Sequence, residues 1–324
     1  MTRILIADPL EESGLAILRA TGADVKVVAA AERAQLPELV AEVDALVVRS
    51  ATKVTRALLE AARKLRVVGR AGVGVDNVDV EAATERGVLV VNAPNANLVS
   101  ATEHTFALLL GLARSLPAAD ASMKRGEWDR KTFVGVELQG KILGIVGLGR
   151  IGQRVASRAR AFEMRVVAYD PFLEAEQAKR LGVELLELDD LMARSDVVTL
   201  HTPFSKATKN LIDARRLALL KPEALFINCG RGGLVDEDAL LAALEAGKLA
   251  GAGLDVYEDE PTHRHALTGH PRVVATPHIG AQTKEAQERI AIETAHMVLA
   301  ALDGEVPAAA VNPAVRAAAV RPAG

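Results

Sequence analysis

The sequence predicts an α/β protein with mainly parallel sheets, divided into two domains, and three observations carry that expectation. The chain has 324 residues, half of them hydrophobic, which is enough for two cores of ordinary size. Short apolar runs alternate with amphipathic stretches of helical spacing almost throughout. A glycine-rich turn, Gly147-Leu148-Gly149-Arg150-Ile151-Gly152, falls in mid-chain between an apolar run and a helix-prone stretch. Roughly 140 residues precede that turn, enough for a domain of their own.

In chain order, strands are expected at residues 4–7, 25–28, 45–48, 66–69 and 88–91. Helices fall between them at 12–20 and 55–62, the second with Thr55 as its N-cap. A long helix over 102–115 joins the two halves, and the apolar run 141–146 leads into the glycine turn. Further strands follow at 165–169, 197–200, 225–228, 253–256 and 273–275. The last helical stretch, 284–302, comes after the final strand and can return to pack on the first domain. That path makes the first domain discontinuous, residues 1–97 with 283–312, around a second domain of residues 98–282, with a cleft between the two. The Ala- and Pro-containing end from Ala308 reads as weakly ordered, with 313–324 a tail.

The composition excludes several classes. A formal net charge of −3 and a pI near 6.2 give no global basic field to recruit nucleic acid or an anionic membrane. The one cysteine, Cys229, leaves no intrachain disulfide framework and fits a reducing compartment. The apolar residues after Met1-Thr2-Arg3 are too few for a signal peptide, and no run approaches a membrane span, so the expected location is the cytoplasm. His263, His265 and His270 share a polar loop, but their spacing fits no zinc pattern, and no metal is expected.

The glycine turn carries the first chemistry. Gly147 permits a tight turn, Gly149 lets backbone approach a pyrophosphate, and Gly152 lets the following helix pack on the sheet. The helix N-terminus then offers free N–H groups and the positive end of its dipole to the phosphates. Asp170 ends the next apolar run, close to the roughly 20 residues' separation expected of a dinucleotide site. Its carboxylate would accept from an adenosine ribose diol and repel a 2′-phosphate. Pro171 and Phe172 supply no cation to hold one, so NAD is expected rather than NADP.

Three polar signals follow later strands, where open α/β sheets place their ligands. In Asn228-Cys229-Gly230-Arg231-Gly232-Gly233 the glycines free the backbone, and the guanidinium of Arg231 can grip a carboxylate through two parallel hydrogen bonds. Asp255 sits among apolar residues ahead of the acidic group Glu258-Asp259-Glu260-Pro261. In Thr276-Pro277-His278-Ile279-Gly280 a histidine is held in a rigid turn. Taken singly, each has a plainer reading as a surface arginine, a solvated acidic loop or a satisfied histidine. Together Arg231, Glu260 and His278 have the make-up of a hydride-transfer site for 2-hydroxy acids. His201, at the end of its strand, is placed beside the cofactor.

At these residues the chain resembles the D-2-hydroxyacid dehydrogenase family. The resemblance runs through Val48–Thr55, the stretch Gly69-Arg70-Ala71-Gly72-Val73-Gly74-Val75-Asp76-Asn77, the glycine turn, Asn228–Val235 and Thr276–Ala281. It implies two Rossmann-like or flavodoxin-like domains with a central cleft, the cofactor domain being inserted into a discontinuous substrate domain. It also implies a homodimer, or a dimer of dimers, built through the cofactor domains. Arg231 then takes the substrate carboxylate and carbonyl, His278 is the acid/base and Glu260 its partner. Asp255 meets the nicotinamide amide, Arg150 and Ile151 lie beside the pyrophosphate, and Thr202, Pro203 and Cys229 line the cofactor.

The resemblance further implies that backbone N–H groups around Gly72 and Val73 help hold the substrate carboxylate. Arg49, Arg70 and Arg130, with Lys131, resemble phosphate-contacting positions of family members that act on phosphorylated acids, and the resemblance favours 3-phosphoglycerate over lactate, glyoxylate or glycerate. Two departures stand out. Gly230 replaces a common Ala and should loosen the turn slightly, and the chain stops soon after Val311-Asn312-Pro313 without the regulatory domains of long members. A glyoxylate or hydroxypyruvate reductase shares the fold, the cofactor and the triad but needs no phosphate pocket. An NADH-sensing corepressor-like binding protein shares the fold.

Overall fold

The computed structural model of the protein describes residues 1–315. They form two compact units, Met1–Asn97 joined by the chain from Gln282 onward, and Leu98–Ala281. The second boundary lies one residue ahead of the expected one.

The first unit is built on five parallel strands: β1 (Arg3–Ile6), β2 (Asp24–Val27), β3 (Ala45–Val48), β4 (Val67–Arg70) and β5 (Leu89–Asn92), in the order β2-β1-β3-β4-β5. After β2 the chain returns past β1 to lay down β3, so the order reverses between β1 and β3. That is the point at which doubly wound sheets open a crevice at their carboxyl ends. The central strands are buried along their length and the edge strand β2 is largely exposed, as a sheet covered on both faces requires. Thr55 caps the helix Arg56–Ala61 by accepting from Leu58 N.

The 19-residue helix Lys284–Leu302 belongs to this unit. It lies against the helix Glu12–Ala20 and strands β4 and β5. Two glycines make the fit: a Cβ on Gly14 would come within 2.7 Å of Ala291 O, and one on Gly69 within 2.4 Å of Val298 Cγ2. The segment 308–315 corrects the expectation of a loose tail. Ala310 bridges Val91, Val311 N donates to Val90 O, and the Asn312 side chain accepts from Val90 N and donates to Val88 O. Val315 is buried. The Ala-rich composition hid this, because the anchoring comes from one asparagine and backbone pairing. The remainder of the expected tail, 316–324, lies outside the described residues.

The second unit holds seven parallel strands: β6 (Ile142–Val146), β7 (Arg165–Tyr169), β8 (Glu184–Leu185), β9 (Val197–Leu200), β10 (Leu225–Asn228), β11 (Gly251–Leu254) and β12 (Val273–Ala275), ordered β12-β11-β10-β9-β6-β7-β8. The order reverses between β6 and β9. Strand β11 begins two residues before its expected start and ends at Leu254. Its glycines are weak strand formers, and their reason is tertiary: a Cβ on Gly251 would meet Leu112 Cδ1 at 2.8 Å, and one on Gly253 would meet Leu108 Cβ at 3.1 Å. The helix Leu98–Ala113 therefore lies directly on this strand. The short edge strand β8 had no apolar run to mark it. No helix among the described residues is long and apolar enough to cross a membrane.

Candidate active site

The glycine turn follows β6 at the reversal point of the second sheet. Gly147 has φ +94°, and a Cβ there would lie 2.6 Å from Thr202 Oγ1 and 2.7 Å from His201 O. A Cβ on Gly152 would lie 2.2 Å from Gly147 O, so the turn closes against the first turn of the helix Arg150–Ala161 only because that residue is glycine. Gly149 is different: its Cβ position meets nothing within 4 Å and looks onto open space at the helix N-terminus. Two glycines close the turn, and the third leaves a bare approach to free N–H groups. That is a cradle fitted to a pyrophosphate. Asp170 follows β7, where Oδ2 accepts from Leu148 N at 2.8 Å and Oδ1 from Phe172 N at 3.0 Å. This carboxylate fixes the turn itself. Arg150 is exposed and Ile151 half-buried.

After β9, Thr202 Oγ1 donates to Val146 O at 3.1 Å and Pro203 is exposed. His201 Nε2 meets Thr199 Oγ1 at 3.0 Å, and burial pushes the imidazole down to about 4, so it is neutral near pH 7. Burial also pushes the Cys229 thiol up to about 12, against a hydrogen bond from Thr105 that lowers it. A protonated thiol of this kind is unreactive.

Arg231 stands on a turn made by Asn228, whose fully buried side chain accepts from Gly230 N at 3.0 Å and donates to Arg231 O at 2.8 Å. A Cβ on Gly230 would press to 3.0 Å from Leu200 O, so glycine fits this turn closely where a loosening was expected. Gly232 sits against the Tyr257 carbonyl, with its Cβ position 1.8 Å from Tyr257 C. The arginine turn and the chain leading to Glu260 are thus packed backbone on backbone. Glu237, buried beneath them, accepts from Glu258 N at 2.6 Å.

His278 Nδ1 and Glu260 Oε2 are 2.6 Å apart, and Glu260 Oε1 accepts from Tyr257 N at 3.1 Å. A carboxylate can only accept, so Nδ1 carries the proton and Nε2 is the nitrogen left for a reacting group. His278 adopts a left-handed φ of 53°, uncommon outside glycine. Asp255 holds it there. Its carbonyl accepts from His278 N at 2.8 Å, and its carboxylate accepts from Thr276 Oγ1 (2.6 Å), Ile279 N (2.8 Å) and Gly280 N (2.8 Å). His104 Nε2 lies 3.2 Å from the same carboxylate and 2.9 Å from Thr276 Oγ1. Burial works against the charge on Asp255, but the hydrogen bonds from His104, Thr276 and Ile279 outweigh it and hold the carboxyl below its usual range.

In the first unit, Arg49 follows β3 and Arg70 ends β4, with Arg70 Nε 3.4 Å from Asn77 Oδ1. Gly72, at φ +149°, leaves room for that guanidinium: a Cβ would lie 1.7 Å from Arg70 Nη1. The carbonyls of Gly72 and Val73 are taken by Ala93 N and Asn92 Nδ2. Their trans peptides turn the N–H groups of Val73 and Gly74 the other way. Arg130 and Lys131 are exposed in a loop of the second unit.

Residues 106–280 match the family model for the D-isomer specific 2-hydroxyacid dehydrogenase NAD binding domain. The chain belongs to this dehydrogenase family. It is 49% identical over 313 residues to the D-3-phosphoglycerate dehydrogenase of Methanocaldococcus jannaschii, covering 96% of this chain and 60% of that protein. Thus the chain spans somewhat less than two thirds of that relative. Among solved structures, the TT0316 protein of Thermus thermophilus superposes with a TM-score of 0.88 at 37% identity, over 96% of this chain and all of that one. The D-lactate dehydrogenase of Aquifex aeolicus, solved with NAD and lactic acid, gives 0.84 at 29% identity, over 99% and 100% of the two chains.

The matched family domain contains the glycine cradle, Asp170 and the His278–Glu260 pair, and its NAD is the cofactor that the cradle fits. The residues that hold this site in shape were less legible. Asn228, Tyr257, Glu237, His104 and Thr276 act through individual hydrogen bonds that no sequence motif announces. Only Asn228, at a strand end ahead of a glycine turn, carried a local signal for its role.

Proposed function

We propose that the chain catalyses reversible, NAD-dependent oxidation of a D-2-hydroxy acid, with 3-phosphoglycerate as the substrate and 3-phosphohydroxypyruvate as the product, the opening step of serine synthesis. The 2.6 Å pairing of His278 with Glu260, in the domain that matches the dehydrogenase family, is the observation that carries this reading. When bound, NAD supplies the acceptor for the hydride that leaves carbon 2. His278 Nε2 removes the hydroxyl proton during oxidation and returns it during reduction. Glu260 fixes the ring by its Nδ1 proton and balances the imidazolium that forms. Arg231 binds the carboxylate and polarises the carbonyl oxygen, held to its place by Asn228. The family resemblance assigns backbone N–H groups around Gly72 and Val73 to binding the substrate carboxylate. Asp170 selects the ribose diol.

The phosphorylated substrate is supported by Arg49 and Arg70, two cations at neighbouring strand ends of the first unit, and by the similarity to a D-3-phosphoglycerate dehydrogenase over nearly the whole chain. The apolar side chains Leu110, Leu116, Met123, Trp128, Val134, Val136 and Phe162 are exposed on the second unit. They support a homodimer formed through that unit. The test is NADH consumption with 3-phosphohydroxypyruvate, hydroxypyruvate and glyoxylate side by side. A large preference for the phosphorylated acid is expected. Equal use of all three would make the chain a general 2-oxo-acid reductase, and cofactor binding without turnover on any would make it a binding protein.

A further inference from the structure

The reversal point of the first sheet is occupied by a side chain that the reaction does not use. Asp8 lies two residues beyond β1 and is 2% exposed. Its Oδ2 accepts from Arg49 N at 2.7 Å and Thr52 N at 3.1 Å, and its Oδ1 from Thr52 Oγ1 at 2.9 Å and Arg33 Nη2 at 3.1 Å. On the opposite side of the same turn, Asn77 Nδ2 donates to Arg49 O and to Thr52 O, both at 2.6 Å. Two side chains from distant parts of the sequence therefore bind both the N–H and the C=O of residues 49 and 52. Ser50 and Ala51 are left exposed at the tip. Asn77 is itself tied down, since its carbonyl accepts from Val54 N at 2.8 Å, and its Oδ1 faces Arg70 Nε.

We propose that Asp8 and Asn77 form a clamp that positions Arg49 and Arg70 for an anionic group distant from the reacting carbon, and so set the preference for a phosphorylated acid. The inference rests on the reading of those two arginines given above. The chemistry of the clamp suits the task. A dianion is held best by cations whose backbone is already fixed, since ordering them on binding would cost affinity. Asn77 touches the backbone of one arginine and the guanidinium of the other, so their separation depends on one amide. The negative charge of Asp8 would weaken an anion site if it faced outward. It is buried and paired with Arg33, which leaves the tip positive.

The test compares wild type, Asp8→Ala, Asp8→Asn and Asn77→Ala for KM and kcat with 3-phosphohydroxypyruvate and with hydroxypyruvate. Circular dichroism and thermal melts establish folding. The alanine variants should raise KM for the phosphorylated acid about ten- to a hundredfold while kcat, and kcat/KM for hydroxypyruvate, stay within about threefold. Asp8→Asn keeps the shape and one acceptor oxygen and should recover most of the loss. If an alanine variant does not fold, Thr52→Val carries the same comparison, because it removes only the hydroxyl given to Asp8. A preference unchanged across these variants overturns the clamp while leaving the substrate reading intact. A parallel loss with both substrates assigns Asp8 and Asn77 to general stability and also overturns it. A wild type without preference for the phosphorylated acid removes the substrate reading and the clamp together. Calorimetric titration of 3-phosphoglycerate against glycerate supplies the same comparison without turnover.

Discussion

The two sheets reverse their strand order in the same way, yet they furnish their reversal points by opposite means. In the second unit the point is made of backbone: Gly147 and Gly152 let the chain close on itself, Gly149 leaves open space, and one carboxylate, Asp170, steadies the turn. In the first unit the point is made of side chains, with Asp8 and Asn77 gripping a turn that carries Arg49. A backbone cradle suits a ligand part common to every reaction of a family, because N–H groups and a helix dipole do not depend on residue identity. A side-chain clamp suits the part that differs between substrates, because one substitution can retune it. The difference teaches where to look for chemistry and where to look for choice.

That contrast predicts separable defects. His278→Ala should lower kcat by about 10²–10⁴-fold with every 2-oxo acid, while NADH binding by fluorescence stays near wild type. Arg49→Ala should instead raise KM for the phosphorylated acid and leave turnover of hydroxypyruvate nearly unchanged. A loss in kcat from both would break the division of labour. Asp255→Ala strips hydrogen bonds from the buried N–H groups around His278. It should destabilise the second unit by roughly 2–4 kcal/mol, read as a fall in the denaturant midpoint.

A smaller effect comes from His201. Its imidazole titrates near 4 in the folded protein and near 6.5 when unfolded. Below pH 6.5 the unfolded chain takes up a proton that the folded one refuses. Stability is therefore complete above that pH and declines as pH falls toward 4, by roughly 3 kcal/mol. His201→Gln should flatten this part of the pH–stability curve, and an unchanged slope would show that the ring is not closed off from protons. The smallest effect concerns Cys229. With its thiol pushed up to about 12, alkylation by iodoacetamide at pH 8 should be slow in the native protein and fast in urea. Rapid native labelling would show a second unit more open than its packing.

Legibility in the sequence followed the range of the interactions. The glycine turn, the helix Lys284–Leu302 and strands such as Val197–Leu200 are written locally, in glycine spacing or apolar runs, and coincide with what the sequence predicts. Strand β11 was misplaced because its glycines answer to Leu108 and Leu112, more than a hundred residues away. At the site, Arg231, Glu260 and His278 announce themselves by position after strands. The residues that hold them do not: Asp255 reads as a cofactor ligand, and nothing in its sequence surroundings marks it as the anchor of the histidine turn. Asp8 and Asn77 are polar residues of ordinary kind whose meaning appears only when β1 and β3 lie side by side.

The packing of Gly14 and Gly69 against the helix Lys284–Leu302 has a consequence for the order of events during synthesis. The second unit is one unbroken stretch, complete once residue 281 has left the ribosome. The first unit begins to emerge earlier but must wait, with β4 and β5 uncovered on one face, until that late helix arrives. The amino-terminal half is thus the last to finish. A nascent chain with residue 281 outside the ribosome and the helix Lys284–Leu302 still within it would display a folded second unit tethered to an unfinished first one, which is the state most exposed to chaperones and proteases.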